Sequence, residues 1–239
     1  MDLNEHYRDW LHRRRPGLEC YEDAAAVPDS ATHAVVVRQK ASHRGIGGKT
    51  ALRELIATAA NQEFLDELSG LEELTYLELG WPVTAQTLEP LEALRNLRTL
   101  KIDSPRNIRD FTVLTRLPRL DRLFISNAKH LETLDWLRPL KSQLRALGVE
   151  GSMYTAQRIA SLKPLEGFAL EALFLTNTKL GDQDLSPIAT MPNIRFLGTG
   201  INAPRAQFFA LRDAKPDLQC GWFDPAHWGD FRDPKPPRA

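Results

Sequence analysis

The chain has 239 residues, of which 42% are hydrophobic and 26% charged, and its 31 basic side chains are matched by 31 acidic ones. This length allows one or two domains, and the composition is that of an ordinary globular protein. The balanced charge argues against a general binder of nucleic acid or of anionic membranes, which usually carries a basic excess. No apolar run reaches the roughly 18 residues that a membrane-spanning helix needs.

The N-terminal quarter of the chain contains short elements without a visible repeat. Residues 3–14 predict a short helix, and their charges stand where a signal peptide would need an apolar stretch. The β-branched run Ala34–Val37 predicts a strand, and the apolar spacing within residues 50–60 predicts a helix. We therefore expect residues 1–64 to form an α/β cap over the N-terminal end of the structure that follows.

A glycine-rich loop lies between the predicted strand and helix, with the sequence Gly-Ile-Gly-Gly-Lys-Thr over residues 45–50. A strand, a glycine loop, Lys-Thr and a helix follow one another in this order in phosphate-binding loops. The full pattern requires a glycine five positions before Gly48, and that residue is His43. The loop leaves open a nucleotide-dependent switch as an alternative function, although we expect a cap loop that binds no nucleotide.

Six segments from residue 77 onward share the frame Leu-x-x-Leu-x-Leu with conservative exchanges. The first members of their strand-core pairs are separated by 23, 23, 24, 26 and 24 residues. The pairs are Leu77/Leu79, Leu100/Ile102, Leu123/Ile125, Leu147/Val149, Leu173/Leu175 and Leu197/Thr199. A period in the twenties around a strand core is the signature of a leucine-rich-repeat solenoid. The prediction is an α/β solenoid: a leucine-rich-repeat arc with a parallel inner sheet of about seven strands and the N-terminal α/β cap.

The segments between the strand cores carry an apolar residue at every third position, often with a nearby proline. This spacing favours 3₁₀ turns on the outer side over long α-helices. The repeats are expected over residues 65–222, with a degenerate last unit whose strand core is Leu218–Cys220. Residues 223–239 are rich in proline and aromatic residues and are expected to form a C-terminal lid and a mobile tail.

Residues 173–197, with the sequence LFLTNTKLGDQDLSPIATMPNIRFL, resemble bacterial short-repeat leucine-rich-repeat proteins of the internalin and phosphatase-regulator type. The resemblance covers about residues 65–222. It implies a right-handed arc, parallel strands on the inner face and protein recognition on that face. The family usually has Asn after each strand, where it ties adjacent loops together, but only the last repeat here has it. The corresponding residues are Pro82, Pro105, Ala128, Ser152, Thr178 and Asn202.

The inner face of the predicted sheet is the candidate binding surface. Because side chains alternate along a strand, the residue between two core positions must point into the concavity. Phe124 and Phe174 hold such positions on either side of Gly148, and the fold itself does not require aromatic residues there. We predict that they are exposed and flank a furrow that accepts a partner side chain; the alternative is that the rings cover the bare glycine backbone. The predicted partner-binding residues are Tyr76, Glu78, Trp81, Lys101, Arg122, Phe124, Phe174 and Phe196.

The expected function is a non-catalytic protein–protein interaction module of a bacterial protein, acting as an adaptor, a regulator or an immunity-type antagonist. Alternatives are the nucleotide-dependent switch and a binder of a non-protein ligand such as a glycan or lipid. The six histidines lack metal-ligand spacing, and no cofactor, nucleic acid or membrane partner is expected. Cys20 and Cys220 lie near opposite ends of the chain, which favours reduced thiols and a cytoplasmic location.

Overall fold

The computed structural model describes residues 6–7, 19–229 and 231–236. The described residues divide into two compact units. Residues 19–130 form the first unit, whereas the second unit contains residues 131–236 together with the helical pair His6–Tyr7. The remainder of the helix expected over residues 3–14 lies outside the described residues.

The first unit is built on a sheet of six parallel strands and one α-helix. The strands are β1 (Cys20–Tyr21), β2 (His33–Val37), β3 (Glu54–Thr58), β4 (Tyr76–Gly80), β5 (Thr99–Asp103) and β6 (Arg122–Ser126), and the helix is α1 (Gln62–Leu68). Each strand pairs with the next in parallel register. One core row runs through Ala34, Leu55, Leu77, Leu100 and Leu123, all of them fully buried. The predicted strand cores at 77, 100 and 123 are confirmed.

The second unit contains a sheet of three parallel strands, a small two-stranded sheet and two short helices. The main strands are β7 (Ala146–Glu150), β9 (Ala172–Leu175) and β11 (Phe196–Thr199), the small sheet is β8 (Gln157–Ile159) with β10 (Thr178–Leu180), and the helices are α2 (Ser186–Ala189) and α3 (Arg205–Ala214). Leu147, Leu173 and Leu197 share one buried row. The last predicted strand core is reduced to a single parallel bridge between Phe196 and Gln219.

Most connections between strands contain the short 3₁₀ turns that the three-residue apolar spacing predicts. They lie at Ala24–Ala26, Ile46–Gly48, Glu89–Ala93 and Thr112–Arg116 in the first unit, and at Asp135–Leu140 and Lys163–Leu165 in the second; two more 3₁₀ turns, Gly221–Phe223 and Pro225–Trp228, follow the last strand. The leucines of these turns are buried and extend the core beneath the strands. Regular 3₁₀ geometry rarely continues beyond one turn, which suits connections of this length.

The repeat begins earlier in the chain than its leucines indicate. The helix predicted over residues 50–60 is wrong, because Glu54–Thr58 forms β3 with alternating burial. Strands β2 and β3 continue the register of the later repeats, so the main sheets contain nine strands among the described residues rather than about seven. Ala34 and Ala57 replace leucine at core positions. The repeat frame is therefore inconspicuous in this region of the sequence.

Hydrogen bonds from asparagine side chains join neighbouring loops, but these asparagines stand one residue before the position that the family pattern implies. Asn127 and Asn177 follow strands with φ values of 52° and 50°, a left-handed conformation that asparagine tolerates better than most residues. The Asn127 amide donates to Ser104 Oγ at 2.9 Å, and the Asn177 amide donates to the Ser152 carbonyl at 2.6 Å. At the usual asparagine position, the Thr178 hydroxyl donates to a buried backbone carbonyl 2.6 Å away. These bonds supply part of the cross-linking expected from the absent asparagines.

Candidate functional site

The glycine loop of residues 45–50 is a structural turn in the first unit. Gly45 has φ 88°, and its amide donates to the Glu67 carboxylate at 2.7 Å; the Gly47 amide points at the same carboxylate oxygen at 3.5 Å. A Cβ on Gly47 would lie 2.5 Å from the Glu67 carbonyl oxygen, so only glycine fits against α1 here. Lys49 pairs with Asp29 at 2.7 Å and holds the pKa of that carboxyl below its ordinary value. The Gly45 and Gly47 amides and the Lys49 ammonium, which would face a phosphate, already have protein partners.

We expect no binding of nucleotide to this loop. Calorimetric titration with ATP or GTP in the presence of magnesium should give only the heat of dilution, because an entering phosphate would have to displace the Glu67 carboxylate from the loop amides. The Lys49→Ala variant is the control and should give the same flat isotherm. Micromolar binding that Lys49→Ala abolishes would show that the loop is a nucleotide site.

Four of the predicted partner-binding residues form one cluster on the inner face of the first unit. The Tyr76 hydroxyl donates to the Glu78 carboxylate at 2.6 Å, and the Lys101 ammonium lies 3.9 Å from that carboxylate. The same ammonium lies 5.7 Å from the centre of the Tyr76 ring and 5.8 Å from that of Phe124. Cations at this distance over an aromatic face are held by the ring quadrupole. Tyr76, Glu78, Lys101 and Phe124 are called the inner-face cluster below.

Two further predicted residues of the first unit differ strongly in their surroundings. Trp81 follows β4 directly and is 60% exposed, which makes it one of the largest exposed apolar side chains in the described part of the chain. Arg122 is half-buried on β6, with its Nε 3.7 Å from the Asp121 carboxylate. Trp81 is therefore accessible to a partner, whereas Arg122 is held beside an acidic neighbour.

The prediction that Phe124 and Phe174 are exposed is wrong. Phe124 is only 4% exposed and Phe174 only 2% exposed. The physical reason is lateral packing: the Phe124 ring lies beside Lys101 in the first unit, and the Phe174 ring packs at 5.4 Å on the Phe196 ring in the second. A glutamate at either position would disturb folding as well as binding, so these residues are unsuitable for separating the two effects.

Two aromatic rings of the second unit cover Gly198, but they are Phe174 and Phe196, whereas the alternative interpretation had Phe124 and Phe174 cover Gly148 and Gly198. Gly198 lies opposite Phe174 in the register of β9 and β11. A Cβ on Gly198 would lie 3.1 Å from the Phe196 ring and 3.2 Å from the Phe174 ring, so the two rings fold over its bare backbone.

Tyr7 also packs on this face, a contact that the sequence interpretation missed. Its ring lies 5.5 Å from the Phe196 ring, and the residue is only 3% exposed. Burial and the Glu171 carboxylate raise the pKa of Tyr7 above its ordinary value of 10.0, while Arg195 and Arg145 act in the opposite direction. Tyr7, Phe196 and Phe174 thus form a column of three aromatic side chains, called the aromatic column below. The available sequence signal was an aromatic residue in a short predicted helix outside the repeats.

An open groove of about 1010 Å³ adjoins the aromatic column in the second unit. Phe174, Phe196 and Gly198 form part of its lining, and Trp222, Phe223 and Asp224 form another part. The Trp222 indole is fixed by donation to the Thr199 carbonyl at 2.8 Å. Cys220 also lines the groove, and burial raises the pKa of its thiol to about 11. The groove offers aromatic and polar surface in similar measure, with Arg212 and Asp224 as the charged residues of its lining.

The described residues show no group of three or more His, Cys, Asp and Glu side chains that could hold a metal ion. Among the same residues, no helix is both long enough and apolar enough to cross a membrane. His43 is fully buried, with its ring stacked 5.2 Å from the Phe64 ring and its Nε2 3.6 Å from the Glu63 carboxylate. It acts as a packed core residue of the first unit.

Comparison with known proteins identifies the fold. No protein-family model matches the chain, and the search of curated proteins found no match. Among solved structures, an internalin (InlF) of Listeria monocytogenes shares 20% identity at a TM-score of 0.58, covering 80% of this chain and 54% of the internalin. A leucine-rich-repeat protein of Leptospira interrogans shares 16% identity at a TM-score of 0.51, covering 84% of this chain and 57% of that protein.

Human 5T4, a trophoblast glycoprotein, shares 15% identity at a TM-score of 0.51, with coverage of 81% of this chain and 80% of 5T4. The chain spans only a little over half the length of the two bacterial proteins. Identities this low show a common fold and leave activity and partners open. The protein therefore has a leucine-rich-repeat fold, the fold that the internalin and the other two proteins share.

Proposed function

We propose that the protein is a non-catalytic interaction module that binds a protein partner through the inner face of its repeats. The inner-face cluster is the observation that carries this proposal. It places a carboxylate at 3.9 Å and the centres of two aromatic rings at 5.7 Å and 5.8 Å from the Lys101 ammonium, and the exposed Trp81 follows the same strand as Glu78. Tryptophan is enriched at the energetic centres of protein interfaces, whereas charged groups such as Glu78 belong to the polar rim around them.

The leucine core of the first unit lies on the opposite face of the sheet from the inner-face cluster. The core beneath the strands is supplied by Leu77, Leu100 and Leu123, which are fully buried on the opposite face. Small polar residues on the inner face would leave this core unchanged. Tyr76 and Phe124 are 5% and 4% exposed and belong to the packing of the inner face, so the groups among these residues that a partner can reach are Glu78 and Trp81.

The chemistry of the cluster indicates the kind of partner surface that fits. Trp81 supplies a rigid apolar anchor, and Glu78, whose side chain is 33% exposed, can accept hydrogen bonds from a basic or amide side chain. The Lys101 side chain is 13% exposed and already faces Glu78. It therefore holds the Glu78 carboxylate in place more than it offers a charge to a partner. We infer a partner that presents an apolar side chain next to a hydrogen-bond donor.

An affinity capture from the native host with quantitative mass spectrometry tests the proposal. Wild-type protein, Trp81→Ala and Glu78→Gln serve as baits, and Tyr154→Ala is the matched control because Tyr154 is 91% exposed and belongs to the second unit. We expect a protein captured by the wild type and by the control but depleted with both other variants. With the purified partner, Trp81→Ala should weaken binding by at least about 2 kcal/mol, the scale of an interface hot spot.

A partner that all four baits capture equally would contradict the use of this face. Capture of a glycan or lipid in place of a protein would support the alternative of a non-protein ligand. A role as an adaptor, a regulator or an immunity-type antagonist in a bacterial cytoplasm belongs to the same proposal. The identity of the captured partner distinguishes these roles.

A further inference from the structure

We propose that the inner face of the first unit binds an extended segment of a protein partner in which an apolar side chain is flanked by lysine or arginine. The apolar side chain rests on a strip formed by Val35, Val37 and Ile56, called the aliphatic strip below. The chemistry of this partner rests on the function proposed above, because the strip extends the same face onto strands β2 and β3.

The strand register places the aliphatic strip on the inner face. Ala34 and Leu55 are a buried core pair of β2 and β3, so the residues that follow them, Val35 and Ile56, point to the opposite side of the sheet. Val37 follows Val35 by two residues and points the same way. All three side chains are half-buried, so each of them keeps apolar area that a partner can remove from water.

Ile56 is the centre of this surface. It is in register with Val35 on one neighbouring strand and with Glu78 on the other, and Glu54 precedes it by two residues on its own strand. Side chains that branch at Cβ have little rotamer freedom to lose when a partner covers them. Ile56 therefore offers a rigid apolar contact that is bordered by two carboxylates.

The apolar surface that a partner can reach lies on β2 and β3 rather than on β5 and β6. The inner-face residues of β5 are the polar Thr99, Lys101 and Asp103. Phe124 is the apolar residue on the inner side of β6, and it is only 4% exposed. A partner that seeks apolar contact with this face is thus directed to the aliphatic strip, beside the strand that leads into Trp81.

The charges that border the aliphatic strip favour a basic partner. Glu54 and Glu78 are one strand and two residues apart, on the order of 8 Å between their Cα atoms. Lys101 lies 3.9 Å from the Glu78 carboxylate and offsets one of the two negative charges. The Glu54 carboxylate lies 3.4 Å from His33 Nε2, and histidine is counted as neutral at pH 7. One negative charge is left beside Ile56 for a partner cation, in a chain whose total charge is balanced.

An extended segment fits the spacing of these groups. Side chains on one side of an extended chain recur about every 6.6 Å, which is also the separation of Ile56 from Glu54 along β3. An apolar residue over Ile56 therefore brings a basic residue two positions away to the Glu54 carboxylate. The flexible stem of lysine or arginine also allows its charge to reach Glu78 on the next strand. Hydrogen bonds between such a cation and a carboxylate are stronger than those between neutral groups.

Selection of peptides from a random library tests the inference before any partner is known. Dodecapeptides displayed on phage are selected on immobilised wild-type protein, and in parallel on protein that carries Ile56→Thr, Glu54→Gln and Glu78→Gln together. We expect the wild type, but not the triple variant, to enrich peptides in which an apolar residue stands two positions from lysine or arginine. Enrichment of neutral or acidic sequences, or no enrichment over the triple variant, overturns the inference.

Anisotropy of the most enriched peptide, labelled with fluorescein, measures the two parts of the site separately. Ile56→Thr keeps a β-branched residue on the strand and should weaken binding by about tenfold through loss of apolar contact. Glu54→Gln combined with Glu78→Gln should weaken binding by about tenfold at low salt and leave an affinity that hardly changes with salt. Glu72→Gln is the matched control and should bind like the wild type, because Glu72 is exposed in the turn before β4.

Changes in the peptide keep the test decisive if a protein variant fails to fold. Wild-type protein is titrated with the selected peptide and with a version whose basic residue is replaced by glutamine. The glutamine peptide should bind about tenfold more weakly and without salt dependence. Equal affinity of the two peptides for the wild type would refute the pairing of a partner cation with these carboxylates.

Trp81→Ala distinguishes a failure of this inference from a failure of the proposed function. A selected peptide that is weakened by Trp81→Ala, but by neither Ile56→Thr nor the glutamine variants, would refute the assigned chemistry and leave the inner face as the binding surface. A peptide that none of these variants weakens binds elsewhere and counts against both proposals. A peptide weakened by Ile56→Thr and by the glutamine variants supports the inference whether or not Trp81 contributes.

Discussion

Replacing Trp228 by alanine is expected to lower the free energy of unfolding by about 3–5 kcal/mol, the range for a fully buried aromatic residue. The indole is completely buried, lies 5.5 Å from the Phe208 ring and 5.4 Å from the Trp222 ring, and donates to the Trp222 carbonyl at 2.9 Å. The Arg205 guanidinium lies 4.8 Å from its centre. The truncation would leave a cavity. It would also remove the donor to the Trp222 carbonyl and the ring that faces the Arg205 guanidinium.

Urea unfolding followed by circular dichroism measures this loss. Met153→Ala is the control, because Met153 is 87% exposed and its removal should change the stability by no more than about 0.5 kcal/mol. A Trp228→Ala protein as stable as this control would mean that residues 225–228 are a dispensable appendage. The outcome also bears on the lid expected over residues 223–239, whose aromatic part packs on α3 in the structure.

The leucine rows of the two sheets are expected to show the next largest effect. Leu123→Ala and Leu147→Ala should each cost about 2–5 kcal/mol, because each removes a fully buried side chain from a row of close-packed leucines. Leu123 is in register with Leu100 in the first unit, and Leu147 with Leu173 in the second.

Thermal and urea unfolding of both variants tests this, with Lys129→Ala as an exposed control that should match the wild type. If both leucine variants unfold like the control, the strand register must be shifted by one residue. Such a shift would move every core leucine to the opposite face. The inner-face cluster and the aromatic column would then be misplaced as well.

The strand cores from residue 77 onward were predictable because a repeat period kept over many residues fixes which positions are equivalent. Once Leu77 and Leu100 occupy equivalent positions, the alternation along each strand decides which side chains are buried. The earlier repeats escaped detection because alanine replaces leucine at positions 34 and 57. A short apolar run such as residues 50–60 also fits a helix or a strand equally well, and only the neighbouring strand resolves the choice.

The candidate site was less predictable, because alternation indicates a side of the sheet but not what covers it. Phe124 and Phe174 were correctly placed on the inner face, but the prediction of their exposure was wrong. Their covers are a lysine on the preceding strand and a ring on the following one. Tyr7 lies 189 residues before Phe196 in the chain, so no local pattern connects the two.

The glycine loop shows the same limitation for a polar site. The sequence contains a strand, glycines and a lysine in the order of a phosphate-binding loop. It does not reveal that the Glu67 side chain accepts from the loop amides, because that acceptor lies on a helix 20 residues further along the chain. A loop of this kind can bind an internal carboxylate as well as an external phosphate.

The state of Cys220 has a consequence for the redox chemistry of the chain. With a pKa of about 11, its thiol is ionised to only about one part in ten thousand at pH 7, and the thiolate is the form that oxidants and alkylating reagents attack. Cys20 is exposed at the opposite end of the sequence. Mild oxidation or maleimide treatment at neutral pH should therefore modify Cys20 and spare Cys220, so that the wall of the groove keeps its chemistry in an oxidising cell.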